Sequence, residues 1–72
     1  MARRNLKNKR KALNLTQQSA AEAVGITRTY YSEIENGNRN CSIRIWLRIA
    51  ECLEIPKEEI IFYIEEGLQP GA

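Results

Sequence analysis

The feature that most constrains this chain is a glycine between two short runs that each open with a threonine. Gly25 follows the stretch Gln17–Val24, which has Thr16 just before it, and two residues later Thr27 opens a second stretch running to about Asn36. Threonine is a good N-cap because its hydroxyl accepts a hydrogen bond from a backbone N–H left free at a helix start. Glycine closes a helix because it enters the left-handed region without steric cost. The spacing therefore predicts two helices joined by a tight turn. Ala21 supplies the small residue needed where such helices approach. Ala20, Val24, Ile26 and Ile34 are the apolar residues that lock the pair. A steep crossing through a three- or four-residue turn is a helix-turn-helix, and it leaves the outer side of the second helix uncovered. That side carries Thr27, Arg28, Thr29, Ser32 and Glu33, polar residues long enough to reach into a groove. The same spacing also suits a plain helical hairpin within a bundle.

Similar punctuation continues along the chain. Asn5 is in place to N-cap a first helix, with Leu6 and Leu13 on one face, and Asn14 suits its left-handed end. Gly37 stops the third helix, and 38–40 read as loop. Ser42 N-caps a fourth helix, Ile43–Leu53, with Ile43, Trp46, Leu47, Ala50 and Leu53 at core spacing. Trp46 reads as core. Ile45, Ile49 and Cys52 form a second apolar stripe. Pro56 fits the first position of a fifth helix, and Glu58 and Glu59 suit its first turn. The β-branched and aromatic run Ile60–Ile64 is compatible with helix or a short strand. The expected fold is all-α, a compact bundle of about five short helices. It forms one domain over 1–66, with 67–72 as a frayed tail.

Charge is unevenly spread. Residues 1–48 hold ten Lys/Arg against three Glu, a net +7, whereas 49–72 hold one Lys against six Glu, a net −5. The basic portion attracts polyanions and the acidic portion points away from them, unless both are simply solvated surface. Lys7, Lys9, Lys11 and the Arg3/Arg4 pair offer diffuse attraction to phosphate, or form a solvated arm.

There is no His and no Asp, and Cys41 and Cys52 lie eleven apart. A zinc site lacks ligands, no metal or other cofactor is expected, and the cysteines read as small buried hydrophobes in a reducing cytoplasm. No nucleophile stands beside a base and the glycines form no phosphate loop, so an enzyme is not expected. The basic start lacks an apolar run behind it, and the longest apolar stretch is the five residues Ile60–Ile64. Neither a signal peptide nor a membrane span is expected.

The strings Leu15-Thr-Gln, Ala21, Val24-Gly-Ile-Thr-Arg, Ile34-Glu-Asn-Gly and Leu47-x-Ile-Ala-x-x-Leu53 resemble the Cro/repressor type of helix-turn-helix domain, the XRE-like family with a lambda-repressor-like fold. The resemblance covers Leu6 to Ile55. It implies double-stranded DNA as partner, a homodimer, and control of transcription, most simply repression at a pseudo-palindromic operator. It implies that Arg28, Thr29 and Glu33 face base edges, with Thr27 and Ser32 at the margin. Gln17 would contact phosphate and brace the second helix, and Asn36, Arg39 and Asn40 would clamp phosphate beyond it. Arg10 and Glu35 match an internal ion pair, which makes Arg10 structural first and a phosphate contact second. Four positions depart from the family: Ala20 for Leu, Tyr31 for an aliphatic residue, Cys41 for Pro and Glu54 for Gly. The Tyr31 ring is large enough to fill volume that Ala20 leaves.

At the DNA, Arg28 is suited to guanine O6 and N7 or to a phosphate, and Glu33 to cytosine N4 or to bracing a nearby Arg. Tyr30 suits a thymine methyl, a sugar or open surface. The stripe Ile45, Ile49 and Cys52, with Ile60, Ile61, Phe62 and Ile64, exceeds what one small core needs, so a dimer interface is expected there. The competing class is a helical protein-interaction module, such as an antitoxin or adaptor, with an incidental basic face. Within the DNA-binding class, a controller of a restriction-modification system or a regulator on a mobile element fits equally. The absence of a ligand domain argues against a small-molecule effector.

Overall fold

The computed structural model describes residues 2–68. It consists of α1 (Arg4–Ala12), α2 (Gln17–Val24), α3 (Arg28–Glu35), α4 (Ile43–Cys52), a 3-10 turn at Lys57–Glu59 and α5 (Ile60–Leu68). Ile60–Ile64 is helical, which settles the one segment open between helix and strand. Ile60 lies in the core and Ile64 is half-buried against it, four residues apart on one helical face.

The helix ends follow the residues that specify them. Thr16, Thr27 and Ser42 each accept a hydrogen bond from the backbone N–H three residues on, at 3.0, 3.1 and 3.3 Å. The first four helices are each followed by a left-handed residue: Asn14 (φ 58°), Gly25 (88°), Gly37 (79°) and Glu54 (58°). In each case the next residue's N–H turns back to the helix: Leu15 to the Arg10 carbonyl, Ile26 to Ala21, Asn38 to Glu33 and Ile55 to Ala50, at 2.8–3.2 Å. This closure satisfies carbonyls that a helix end otherwise leaves free.

The start of α1 differs from the sequence expectation. Asn5 is inside the helix, and Arg3 holds the cap position without a side-chain cap. Partners distant in sequence replace the cap. The Arg3 N–H donates to the Glu35 carbonyl, and the Asn5 N–H donates to Glu66 Oε1, both at 2.9 Å. A carboxylate at a helix start also complements the helix dipole.

The core gathers Leu6 from α1, Ala20, Ala21 and Val24 from α2, and Tyr31 and Ile34 from α3. Trp46, Ile49 and Ala50 come from α4, followed by Leu53, Ile55 and Ile60. Two expectations about α4 are corrected. Ile43 and Leu47 are exposed, at 63% and 37%, whereas Ile49 is fully buried. Helix α4 packs on α2 at one side and on α5 at the other. Its buried arc therefore straddles both apolar stripes and turns Ile43 and Leu47 outward. Ile49 and Ile60 are thus unavailable to a partner, and Ile45, Cys52 and Ile64 pack half-buried against the core. The remaining exposed large apolar side chains are Ile43, Leu47, Ile61, Phe62 and Leu68.

The expected boundary at Gly67 also shifts. Helix α5 continues through Leu68, and Gly67 is buried, so the helix does not fray there; 69–72 lie outside the described residues. Among the described residues no helix is long and apolar enough to cross a membrane, and no group of metal-ligating side chains forms.

Candidate nucleic-acid interface

Helices α2 and α3 meet through Gly25 with Ala20, Ala21, Val24, Tyr31 and Ile34 buried along the crossing. Ala20 and Tyr31 are both fully buried, so the large ring and the small side chain share one packed core. The Tyr31 hydroxyl has no hydrogen-bond partner. Burial, followed by the nearby Glu35 carboxylate, pushes its ionisation far above the ordinary tyrosine range. The turn is braced from α4, where Arg48 Nη1 donates to the Val24 carbonyl at 3.4 Å.

With its inner face committed to the core, α3 presents the other face to solvent. Thr27, Arg28 and Thr29 are exposed, and Tyr30, Ser32 and Glu33 are half-buried. The expected base-reading residues therefore lie together on one outward surface. Beyond α3, Asn36, Arg39 and Asn40 are exposed and extend that surface. Arg39 Nε lies 3.6 Å from Glu33 Oε2, and its guanidinium sits 4.9 Å from the Tyr30 ring centre. Glu33 thus braces an arginine, one of the two roles its place on α3 allowed. An exposed pair of this kind contributes only about 0–1 kcal/mol, so its effect is to orient Arg39 rather than to stabilise the fold.

Behind this surface stands an ion pair. Arg10 Nε and Nη2 donate to the two Glu35 oxygens at 2.9 and 3.0 Å, with side-chain exposures of 8% and 1%. Arg10 Nη1 also donates to the Leu15 carbonyl at 2.7 Å. The hydrogen bonds to Glu35 raise the Arg10 pKa above its ordinary value despite burial. Gln17 Nε2 donates to Glu35 Oε1 at 3.3 Å, so α1 and the start of α2 grip the last turn of α3 through one carboxylate. This is the bracing expected of Gln17. Arg10 is buried at 7% exposure, with three of its donors engaged by Glu35 and Leu15, which is the structural part of its expected role.

Lys9 is half-buried and lines an open cleft with Glu59, Phe62 and Tyr63. Another basic residue falls elsewhere than expected. Arg3, expected in a solvated arm, has 0% exposure. Its Nη1 donates to the Ile34 carbonyl at 2.7 Å and the Arg39 carbonyl at 3.3 Å. Its Nη2 donates to Asn40 Oδ1 at 2.6 Å and the Ile64 carbonyl at 3.3 Å. Its guanidinium lies 4.9 Å from the Trp46 ring centre. Sequence reasoning missed this residue. The available signal was Gly67, seven residues beyond Ile60 on the buried face of α5, where a side chain is replaced by space. A methyl built at Gly67 would run into the Arg3 guanidinium carbon.

Both cysteines are free and half-buried. Burial pushes the Cys41 thiol up to about 11 and raises Cys52 as well, which leaves both thiols protonated near neutrality.

Comparison with known proteins agrees with this geometry. The helix-turn-helix family model matches residues 6–60. The chain is 38% identical over 60 residues to control protein C.MunI of a Mycoplasma species, covering 83% of this chain and 81% of that protein. It is 41% identical over 66 residues to the ImmF control region 10 kDa protein of Bacillus phage phi105, covering 86% and 73%. It is 38% identical over 55 residues to the cryptic phage CTXphi transcriptional repressor RstR of Vibrio cholerae, covering 76% of this chain and 49% of that protein. A second helix capped at Thr27, a glycine turn at Gly25 and a family match running from within α1 to the start of α5 lead to one assignment: the chain belongs to the XRE-type helix-turn-helix family of DNA-binding proteins.

Proposed function

We propose that this protein is a sequence-specific regulator of transcription, most simply a repressor, that binds a pseudo-palindromic operator as a homodimer. The observation that carries the reading is the outward edge of α3, where Thr27, Arg28 and Thr29 are exposed while the opposite edge is locked into the core. In the major groove, Arg28 forms a bidentate pair with guanine O6 and N7, an interaction of about 1–3 kcal/mol of discrimination. Thr29 meets a neighbouring base edge or thymine methyl, and Thr27 and Ser32 lie at the margin. Gln17, Asn36, Arg39 and Asn40 flank this reading edge and take phosphates, fixing register without reading sequence. Exposed Arg4, Lys7 and Lys11 add diffuse attraction.

The dimer reading is supported by the apolar side chains left on α4 and α5, where Ile61 and Phe62 are 47% and 66% exposed. Pairing there sets two α3 helices on successive major grooves, roughly 34 Å apart. The relatives, a control protein and a phage repressor, agree with control of transcription.

Selecting bound fragments from a pool of random duplex DNA tests the whole reading. The expected product is an inverted repeat with half-sites one helical turn apart. Absence of enrichment, together with absence of salt-dependent retention on random DNA, would remove the DNA reading in favour of a protein-interaction module.

A further inference from the structure

We propose that Arg3 is a positioning residue of the DNA interface: it fixes the Arg39–Asn40 loop, turns the Asn40 amide donors outward to a phosphate, and ties that contact to α5. This rests on the DNA reading above.

The argument begins with the chemistry of the Asn40 side chain, which has one acceptor oxygen and one NH2 donor group. Arg3 Nη2 occupies the oxygen from the buried side at 2.6 Å. Asn40 is itself exposed, so the face it turns to solvent is its donor face, the one that suits an anion. The other fork nitrogen holds the Arg39 backbone carbonyl and the Ile34 carbonyl in the last turn of α3. A single guanidinium thus sets the distance between the end of the reading helix and the residues beyond it. Its remaining contacts, the Ile64 carbonyl and the space at Gly67, belong to α5.

Stability alone is a poor reason for this arrangement. The Arg3 side chain is fully buried, its Nε has no partner, and burial opposes its charged form. Taking a guanidinium out of water costs free energy that its hydrogen bonds only offset. What an apolar side chain cannot do is hold three carbonyl oxygens and an amide oxygen from a single rigid fork.

The test is a double-mutant cycle on DNA binding, using the fragment enriched from the random pool. Wild-type protein is measured first across a salt series. If it shows no salt-dependent binding, the DNA reading itself fails before any variant is needed. With wild type binding, Asn40→Ala and Arg3→Met each weaken affinity about tenfold, the loss expected for one charge-assisted contact. The double variant then weakens it by no more than either single. Losses that multiply to about a hundredfold, or a folded Arg3→Met with wild-type affinity, overturn the proposal. Should Arg3→Met not fold, Asn40→Asp decides, since position 40 is exposed. Its carboxylate meets Arg3 as an acceptor, so the melting temperature rises by about 4 °C or more. The outward donors are gone, so affinity drops at least about tenfold. A melting temperature that stays level or falls shows that Arg3 does not hold position 40.

Discussion

At the residue scale the placement of α3 against α1 and α2 depends on charges placed where water does not reach. Glu35 accepts from Arg10 with both oxygens and from Gln17 with one, and its side chain is 1% exposed. Removing only one member of such a pair leaves a buried charge without a partner. Glu35→Ala is therefore expected to lower unfolding free energy by about 3 kcal/mol, measured by urea denaturation, whereas Arg10→Met with Glu35→Leu together recovers most of the loss. A double variant no better than the single would contradict this account. Glu33 is the opposite case, half-exposed on the face of α3 proposed to meet DNA. Glu33→Gln removes repulsion and frees Arg39, so binding to random DNA should tighten several-fold while preference among half-site variants narrows. Competition binding with selected and scrambled duplexes measures both; weaker binding to random DNA would refute it. The readable residues were those whose role is local. The caps Thr16, Thr27 and Ser42 and the turn residues Asn14 and Gly25 act within a few residues of themselves. Arg3 was not readable because its partners lie 31 to 61 positions away, and nothing beside it distinguishes it from the exposed Arg4.

At the element scale the same ending recurs four times, with one residue ill suited to it. Asn and Gly tolerate the left-handed region, but Glu54 adopts φ 58° with a Cβ and a long side chain. This is the position where the related family commonly has Gly. Glu54→Gly should relieve a strain of roughly 1 kcal/mol, reduced by the greater freedom glycine has in the unfolded chain. A net gain of about 0.5 kcal/mol in chemical denaturation is expected, with helix content by circular dichroism unchanged; a loss of stability would show that the Glu54 side chain contributes more than its backbone costs. Element identities and ends were legible because caps and periodicity are short-range signals. The orientation of α4 was not. Apolar residues cover so much of its circumference that periodicity alone could not decide between the face of Ile43 and Leu47 and the face of Ile49. Contacts with α2 and α5 decided it, and they turned part of the expected core outward and part of the expected interface inward.

At the scale of the whole molecule, the basic and acidic stretches of the sequence do not separate into two ends, because basic α1 packs on α5, with the Asn5 N–H on Glu66 and Lys9 beside Glu59. Apolar Ile43, Leu47, Ile61 and Phe62 remain uncovered on α4 and α5. For a homodimer through these side chains, Phe62→Lys should shift sedimentation at micromolar concentration from dimer to monomer. Affinity for a full inverted repeat should fall about a hundredfold or more, while affinity for a single half-site changes little. An unchanged dimer with Phe62→Lys would move the contact to another surface.

The Arg3 niche has a consequence for how the chain comes off the ribosome. Arg3 emerges before α5 does, yet one of its partners is the Ile64 carbonyl and its space is the absent side chain of Gly67. A nascent chain that has released α1 to α4 still has that guanidinium uncovered on one side. The latch therefore closes only when translation of α5 is done, so an unfinished polypeptide carries α3 without the brace that completes it.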